Sequence, residues 1–129
     1  MQEETKLWLK QAEENFKAAK TMFDGHRYSF TCFMCQQTLE VIFKATIIEF
    51  TKSRHPRIHD LGRLYEMTTL PSERIDRQFL EKTTQHFFLV RYPDMVRAKY
   101  DRELAEKTFL KTKEILKWIE KEIIERSSK

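Results

Sequence analysis

Glycine and proline are scarce: the 129-residue chain has two of one and three of the other. A fold of many short strands draws on both for its turns, so an all-β architecture is disfavoured. No run of about 18 apolar residues occurs, so no membrane-spanning helix and no membrane partner is expected. The opening MQEETK has no apolar signal segment, which leads to the expectation of a soluble, cytoplasmic protein. Cysteine is limited to Cys32 and Cys35, in CFMC. A redox pair at that spacing would want a strand–helix setting, and zinc would want two more ligands nearby. Both thiols are therefore read as small apolar core side chains, with no metal and no cofactor expected. A strong excess of charge is also missing. The net charge of +4 allows an anionic partner such as a nucleotide or RNA without requiring one.

What the chain does have is 34% charged and 40% apolar residues, a mixture that suits amphipathic helices. The length fits one domain, taken as residues 1–129. Trp8, Ala12, Phe16, Ala19 and Phe23 recur at three- and four-residue spacing and predict a first helix over 4–23, with Gly25 as its C-terminal cap. A second helix is expected over 27–51, stopped by Pro56 in SRHPR. A third starts near His59. A fourth covers about 73–89, with Ser72 as its N-cap. After RYPD the last helix begins near 95 or 101 and runs to 126, leaving RSSK as a frayed tail. Its stripe is Leu104, Thr108, Phe109, Thr112, Ile115, Leu116, Ile119 and Ile123. Short connections between long helices give the expected fold class, an all-α, antiparallel up-and-down bundle of four to five helices.

The second helix is apolar around well over half its circumference, so it should be buried nearly all round. One stripe stays polar: Ser29, Gln36, Gln37, Glu40 and Lys44. Glu40 and Lys44 stand at i and i+4 in the favourable order. The stripe is either a thin solvent-facing edge or a polar seam at a cleft or dimer contact, where each group would need a hydrogen-bond partner.

Four segments in order, WLKQAEENFKAA, CFMCQQTLEVIFKA, HDLGRL and RYPD, together resemble the HEPN (higher eukaryotes and prokaryotes nucleotide-binding) domain family, from about Trp8 to Trp118. The resemblance implies a helical bundle that commonly forms homodimers. It also implies metal-independent ribonuclease activity in one branch, and for small members a minimal nucleotidyltransferase partner in a toxin–antitoxin-like pair. The ribonuclease branch carries an arginine followed four to six residues later by a histidine. Here Arg91 is followed by Tyr92, Pro93, Asp94, Met95, Val96 and Arg97, with no histidine among them.

Cleaving RNA without a metal needs a group to accept the 2′-hydroxyl proton, one to protonate the leaving oxygen, and positive charge on the phosphate. Arg91 and Arg97 suit the phosphate because a guanidinium keeps its charge and makes paired hydrogen bonds. His59 suits the proton transfer if the HDL segment lies close to RYPD, with Asp60 or Asp94 orienting the ring. His86, one turn before Arg91, is the other candidate for proton transfer but is expected to pack beside Phe87 and Phe88. His26 and His55 are expected to be solvated loop residues. The expected catalytic set is therefore His59, Arg91 and Arg97. The expected nucleotide- or phosphate-binding set is Lys44, Arg91, Tyr92, Asp94 and Arg97, with Gln36, Gln37 and Glu40 as the polar seam. In RYPD, Pro93 sets the turn, Tyr92 packs its ring while its hydroxyl reaches a partner, and Asp94 caps the next helix or pairs with Arg91. The favoured function is a HEPN subunit that binds nucleotide or RNA phosphate. The alternatives are a metal-independent ribonuclease and a helical interaction protein with a vestigial cleft.

Overall fold

The computed structural model describes residues 1–128, which form six helices: α1 (Glu3–Asp24), α2 (Tyr28–Thr51), α3 (Leu61–Met67), α4 (Arg77–Leu89), α5 (Pro93–Lys99) and α6 (Arg102–Ser127). Among the described residues there is no strand, and no helix is long and apolar enough to cross a membrane. The expected all-helical bundle is what forms. Its four long helices are joined by the two-turn segments α3, expected as the helix starting near His59, and α5, which the expected last helix left unresolved between starts near 95 and 101. Lys129, the last residue of the expected frayed tail, lies outside the described residues; α6 itself continues to Ser127.

Capping explains where the boundaries moved. Asp76, not Ser72, starts α4 by accepting from the Gln78 amide, while Ser72–Arg74 form a separate 3-10 turn. Asp101 accepts from the Leu104 amide and so starts α6 afresh after α5. A short polar side chain accepting a first-turn N–H is the strongest local start signal a helix has. Gly25 ends α1 as expected, but with φ −86; the left-handed residue is His26, at φ 60.

The centre of the fold is α2. Leu39, Ile42, Phe43, Ala45, Ile47 and Ile48 are buried on it, with α1, α3, α4 and α6 arranged around them. Ala12 and Ala19, both fully buried on α1, let that helix lie close against α2. Ile115, Leu116, Ile119 and Ile123 bring α6 into the same core. Cys32 and Cys35 are buried and unbridged, and burial pushes both thiols up to about 12. That makes them inert packing groups.

Where α1 meets α6, burial, followed by the hydrogen bond and charge of Glu13, raises the Glu120 carboxyl from 4.5 to about 7. A carboxyl raised in the folded state contributes stability that is complete below 4.5 and lost as pH rises through about 7. Thermal melts should show that loss in the wild type, and Glu120→Gln should flatten it. Parallel pH profiles for the two proteins would remove this account.

Candidate functional site

The polar stripe of α2 is neither a solvent edge nor an open seam. Glu40 is at its centre and is 8% exposed. Gln36 Nε2 donates to Glu40 Oε1 at 3.0 Å, and Lys44 Nζ donates to Oε2 at 3.0 Å. The three polar residues recur every four positions, so they stack along one helix face and bond to one another, with the Gln36 Oε1 left over. Burial by itself would raise the Glu40 carboxyl. The hydrogen bonds from Lys44, Gln36 and His59, with the Lys44 charge, outweigh it and hold the group below its usual range. Lys44 is therefore committed inside the fold, only 5% exposed, and orders Glu40 instead of presenting charge to a surface phosphate. Gln37, one position round the helix, is half-buried and takes no part in this chain of bonds.

The chain leaving α2 returns over this stripe. His59 Nδ1 sits 2.9 Å from Glu40 Oε1, while the side chain stays 46% exposed. An ionised Glu40 accepts only, so the contact requires Nδ1 to carry a proton and donate, and in the neutral form of the ring Nε2 is then the acceptor. A residue nineteen positions back orients the ring, which the sequence reading assigned to Asp60 or Asp94. Asp60 instead caps α3, accepting from the Arg63 amide.

His59 also stacks on Phe87 of α4, ring centroids 4.1 Å apart and planes 18° apart. Just past the end of α4, in the turn before α5, Arg91 places its guanidinium over that same Phe87 ring, 4.9 Å from its centroid. The fold thus does bring the HDL segment to the RYPD turn, with a phenyl ring as the shared platform. Phe33 of α2 flanks Phe87 from the other helix, its ring 6.4 Å away. Phe87 itself gave no sequence signal beyond its place in an apolar run.

The rest of RYPD is more open than expected. Pro93 is the first residue of α5 and Asp94 lies in its first turn, a favourable place for negative charge, but Asp94 neither caps the helix nor pairs with Arg91. Tyr92 is 57% exposed, and its hydroxyl meets no partner among the described residues. Arg97 is exposed and lines a shallow hollow with Pro93, Asp94 and Ala98, apart from the His59–Phe87–Arg91 group.

The other histidines divide differently from the expectation. His86 is buried, as expected, but its partner is Tyr100, whose hydroxyl lies 2.6 Å from Nδ1. Burial, with help from the Lys99 charge, lowers His86 to about 4, so it is neutral near pH 7. His55 is half-buried against Trp8 at 4.4 Å instead of being solvated, because the loop after α2 folds back onto α1. His26 is exposed, as a loop residue should be. Among the described residues, no group of three or more His, Cys, Asp or Glu side chains is placed to hold a metal ion.

Residues 5–123 match the HEPN domain family. No curated protein matches the sequence. Two crystal structures are similar in fold. TT1696 from Thermus thermophilus has a TM-score of 0.75 at 24% identity, over 93% of this chain and 98% of that one. ST0689, described as an archaeal HEPN homologue, has a TM-score of 0.72 at 25% identity, over 92% of this chain and 97% of that one. With the family match spanning nearly all of the helical bundle, the chain belongs to the HEPN domain family.

Proposed function

We propose that this protein is a HEPN subunit that holds an RNA or nucleotide phosphate beside Arg91, with His59 next to it. The observation carrying this reading is that both side chains rest on one ring, Phe87. The guanidinium faces a ring and no carboxylate: among the described residues Arg91 has no acidic partner within 4.0 Å. An arginine kept free of acids and fixed from below is suited to accept a phosphate in bidentate fashion. The exposed Phe88 and Tyr92 beside it offer faces on which unpaired bases can stack.

The same margin supports a homodimer. Phe30 and Phe88, each at least half exposed, extend the Phe33–Phe87 pair to the surface, where a second copy would cover them. A monomeric mass at micromolar concentration would remove this part of the proposal. The minimal nucleotidyltransferase partner, in a toxin–antitoxin-like pair, is proposed from family membership.

A second reading, a metal-independent ribonuclease, is favoured by the Glu40–His59 contact at 2.9 Å. In that reaction His59 Nε2 takes the 2′-hydroxyl proton and the 2′-oxygen attacks phosphorus. The 5′-oxygen leaves with a proton from an imidazolium of the second copy, giving a 2′,3′-cyclic phosphate and a 5′-hydroxyl.

The test is single-stranded RNA binding and cleavage in EDTA by the wild type and Arg91→Ala. Binding should weaken by about tenfold, the loss of one charge-assisted bidentate contact. Unchanged affinity in Arg91→Ala would overturn the phosphate assignment. No cleavage by folded, dimeric wild type would remove the ribonuclease reading and leave the binding one standing.

A further inference from the structure

On the far side of α4 lies a second concave surface that the function above does not use. Both α4 and α6 pack on α2, and α4 also packs on α3, but the two do not close against each other. The gap is a cleft of about 260 Å³. Each helix lines it with one face at matching spacing: Phe79, Lys82, Thr83 and His86 on α4, and Leu104, Lys107, Thr108 and Lys111 on α6. The helices run in opposite directions here. Lys111 Nζ is 5.9 Å from the Phe79 ring at one end, and His86 meets Tyr100 at the other.

The lining is layered. Thr83, His86 and Thr108 are buried and make the floor. Phe79 and Leu104, half-buried, make apolar walls. Lys82, Lys107 and Lys111 stand exposed at the rim, and half-buried Lys99 closes the end nearest His86. The Tyr100 bond occupies His86 Nδ1 and leaves Nε2 as the polar ring atom without a partner among the described residues.

The charge distribution is the unusual feature. Several lysines elsewhere on the surface sit beside acids one turn away, as in Lys6–Glu3, Lys20–Asp24 and Lys121–Glu125, and those that do not, such as Lys10 and Lys113, line no part of the cleft. None of the four cleft lysines has a carboxylate within 4.0 Å among the described residues. The one acid in the lining, Asp76, is occupied as the cap of α4. Four ammonium groups around one concavity repel one another and raise the local concentration of anions. The space is small for a drug-sized ligand, so it has room for a phosphate chain, with any nucleoside the chain carries lying at the mouth beside Phe79. Flexible ammonium point charges suit phosphate oxygens spaced along a chain.

We propose that this cleft is a second anion site that takes a short oligophosphate chain, free or carried on a nucleoside, held by Lys82, Lys99, Lys107 and Lys111 over His86. It is separate from the Arg91 surface because His86 and Phe87, neighbours on α4, point about 100° apart around the helix.

Titration calorimetry with inorganic tripolyphosphate and with ATP, both in EDTA, tests the site on the full chain. The double variant Lys107→Gln/Lys111→Gln should bind tripolyphosphate at least about tenfold more weakly, since two charged contacts are lost. Lys10→Gln/Lys113→Gln, which removes the same charge from exposed helix positions outside the cleft, should bind it as the wild type does. Arg91→Ala should keep the binding event that the cleft variant loses, whatever it loses at the Arg91 surface. Equal affinity for the two ligands means the phosphate chain alone is read; tighter ATP binding means the Phe79 wall takes the base. Any of three results overturns the proposal: no saturable binding by the wild type, loss of binding in Arg91→Ala with the lysine variant unaffected, or equal weakening in both lysine pairs. The Arg91→Ala arm keeps failure here distinct from failure of the RNA site.

Discussion

Glu40→Ala is expected to cost roughly 3–5 kcal/mol of folding stability, because it strands a buried ammonium. The Lys44 side chain is 7% exposed and that of Glu40 11%, so water can replace little of the lost interaction. Gln36 is in the same position: it is fully buried, its Nε2 has Glu40 as its partner, and its Oε1 has none. Its amide would then have neither end satisfied. For a small domain such a loss is a large share of the total stability. Urea melts with a shared slope would read it as a shift in midpoint. A loss below about 1 kcal/mol would mean the pair is screened as surface pairs are. The double change Glu40→Met/Lys44→Met is expected to be close to neutral or stabilising, because both charges leave the interior together. Acid should reproduce part of the single-mutant effect. Glu40 is held below its ordinary 4.5, so its contribution is present above that pH and lost as pH falls through the depressed value.

That network also shows where the sequence could be read and where it could not. Periodicity located α1, α2 and α6 to within a few residues, since each is long and buries a continuous stripe. It found α3 as a helix starting near His59 but did not separate α5 from α6, because α5 is seven residues long and its limits are set by Pro93 and by the Asp101 cap. The polar stripe on α2 was visible as a stripe, but the group that covers it was not. His59 reaches Glu40 from the loop between α2 and α3, nineteen positions on, and a helical wheel of α2 has no access to that loop. Local rules pointed to Asp60 as the partner of His59 because the two are adjacent in sequence. The backbone claims Asp60 first, as the α3 cap. Phe87 was hidden for the opposite reason: in FFLV it is one apolar residue among several, and only the crossing of α2 and α4 turns it into a platform. The RYPD turn was legible as a helix break but not as an open surface, because exposure depends on how α5 leaves the bundle.

If the ribonuclease reading holds, RNA cleavage in EDTA is expected to fall by about 10²–10⁴-fold in His59→Asn, while affinity for an uncleavable RNA moves by less than about threefold. The asymmetry follows from position. On that reading Arg91 supplies charge to the phosphate in the ground state as well as the transition state, so its loss should weaken binding. The Nε2 of His59 matters only while the 2′-hydroxyl proton is moving. Asparagine can keep a hydrogen bond to Glu40 Oε1 from its amide, which leaves the buried network satisfied and removes the titratable nitrogen. Glu40→Gln should slow cleavage as well, since a neutral amide no longer fixes which ring nitrogen carries the proton. It should also destabilise the fold, whereas His59→Asn should not, and that difference separates the proton carrier from the residue that orients it. A parallel fall in RNA affinity and cleavage for His59→Asn would make His59 a binding contact only. Undiminished cleavage in His59→Asn would eliminate it as the base and reassign proton transfer to another group.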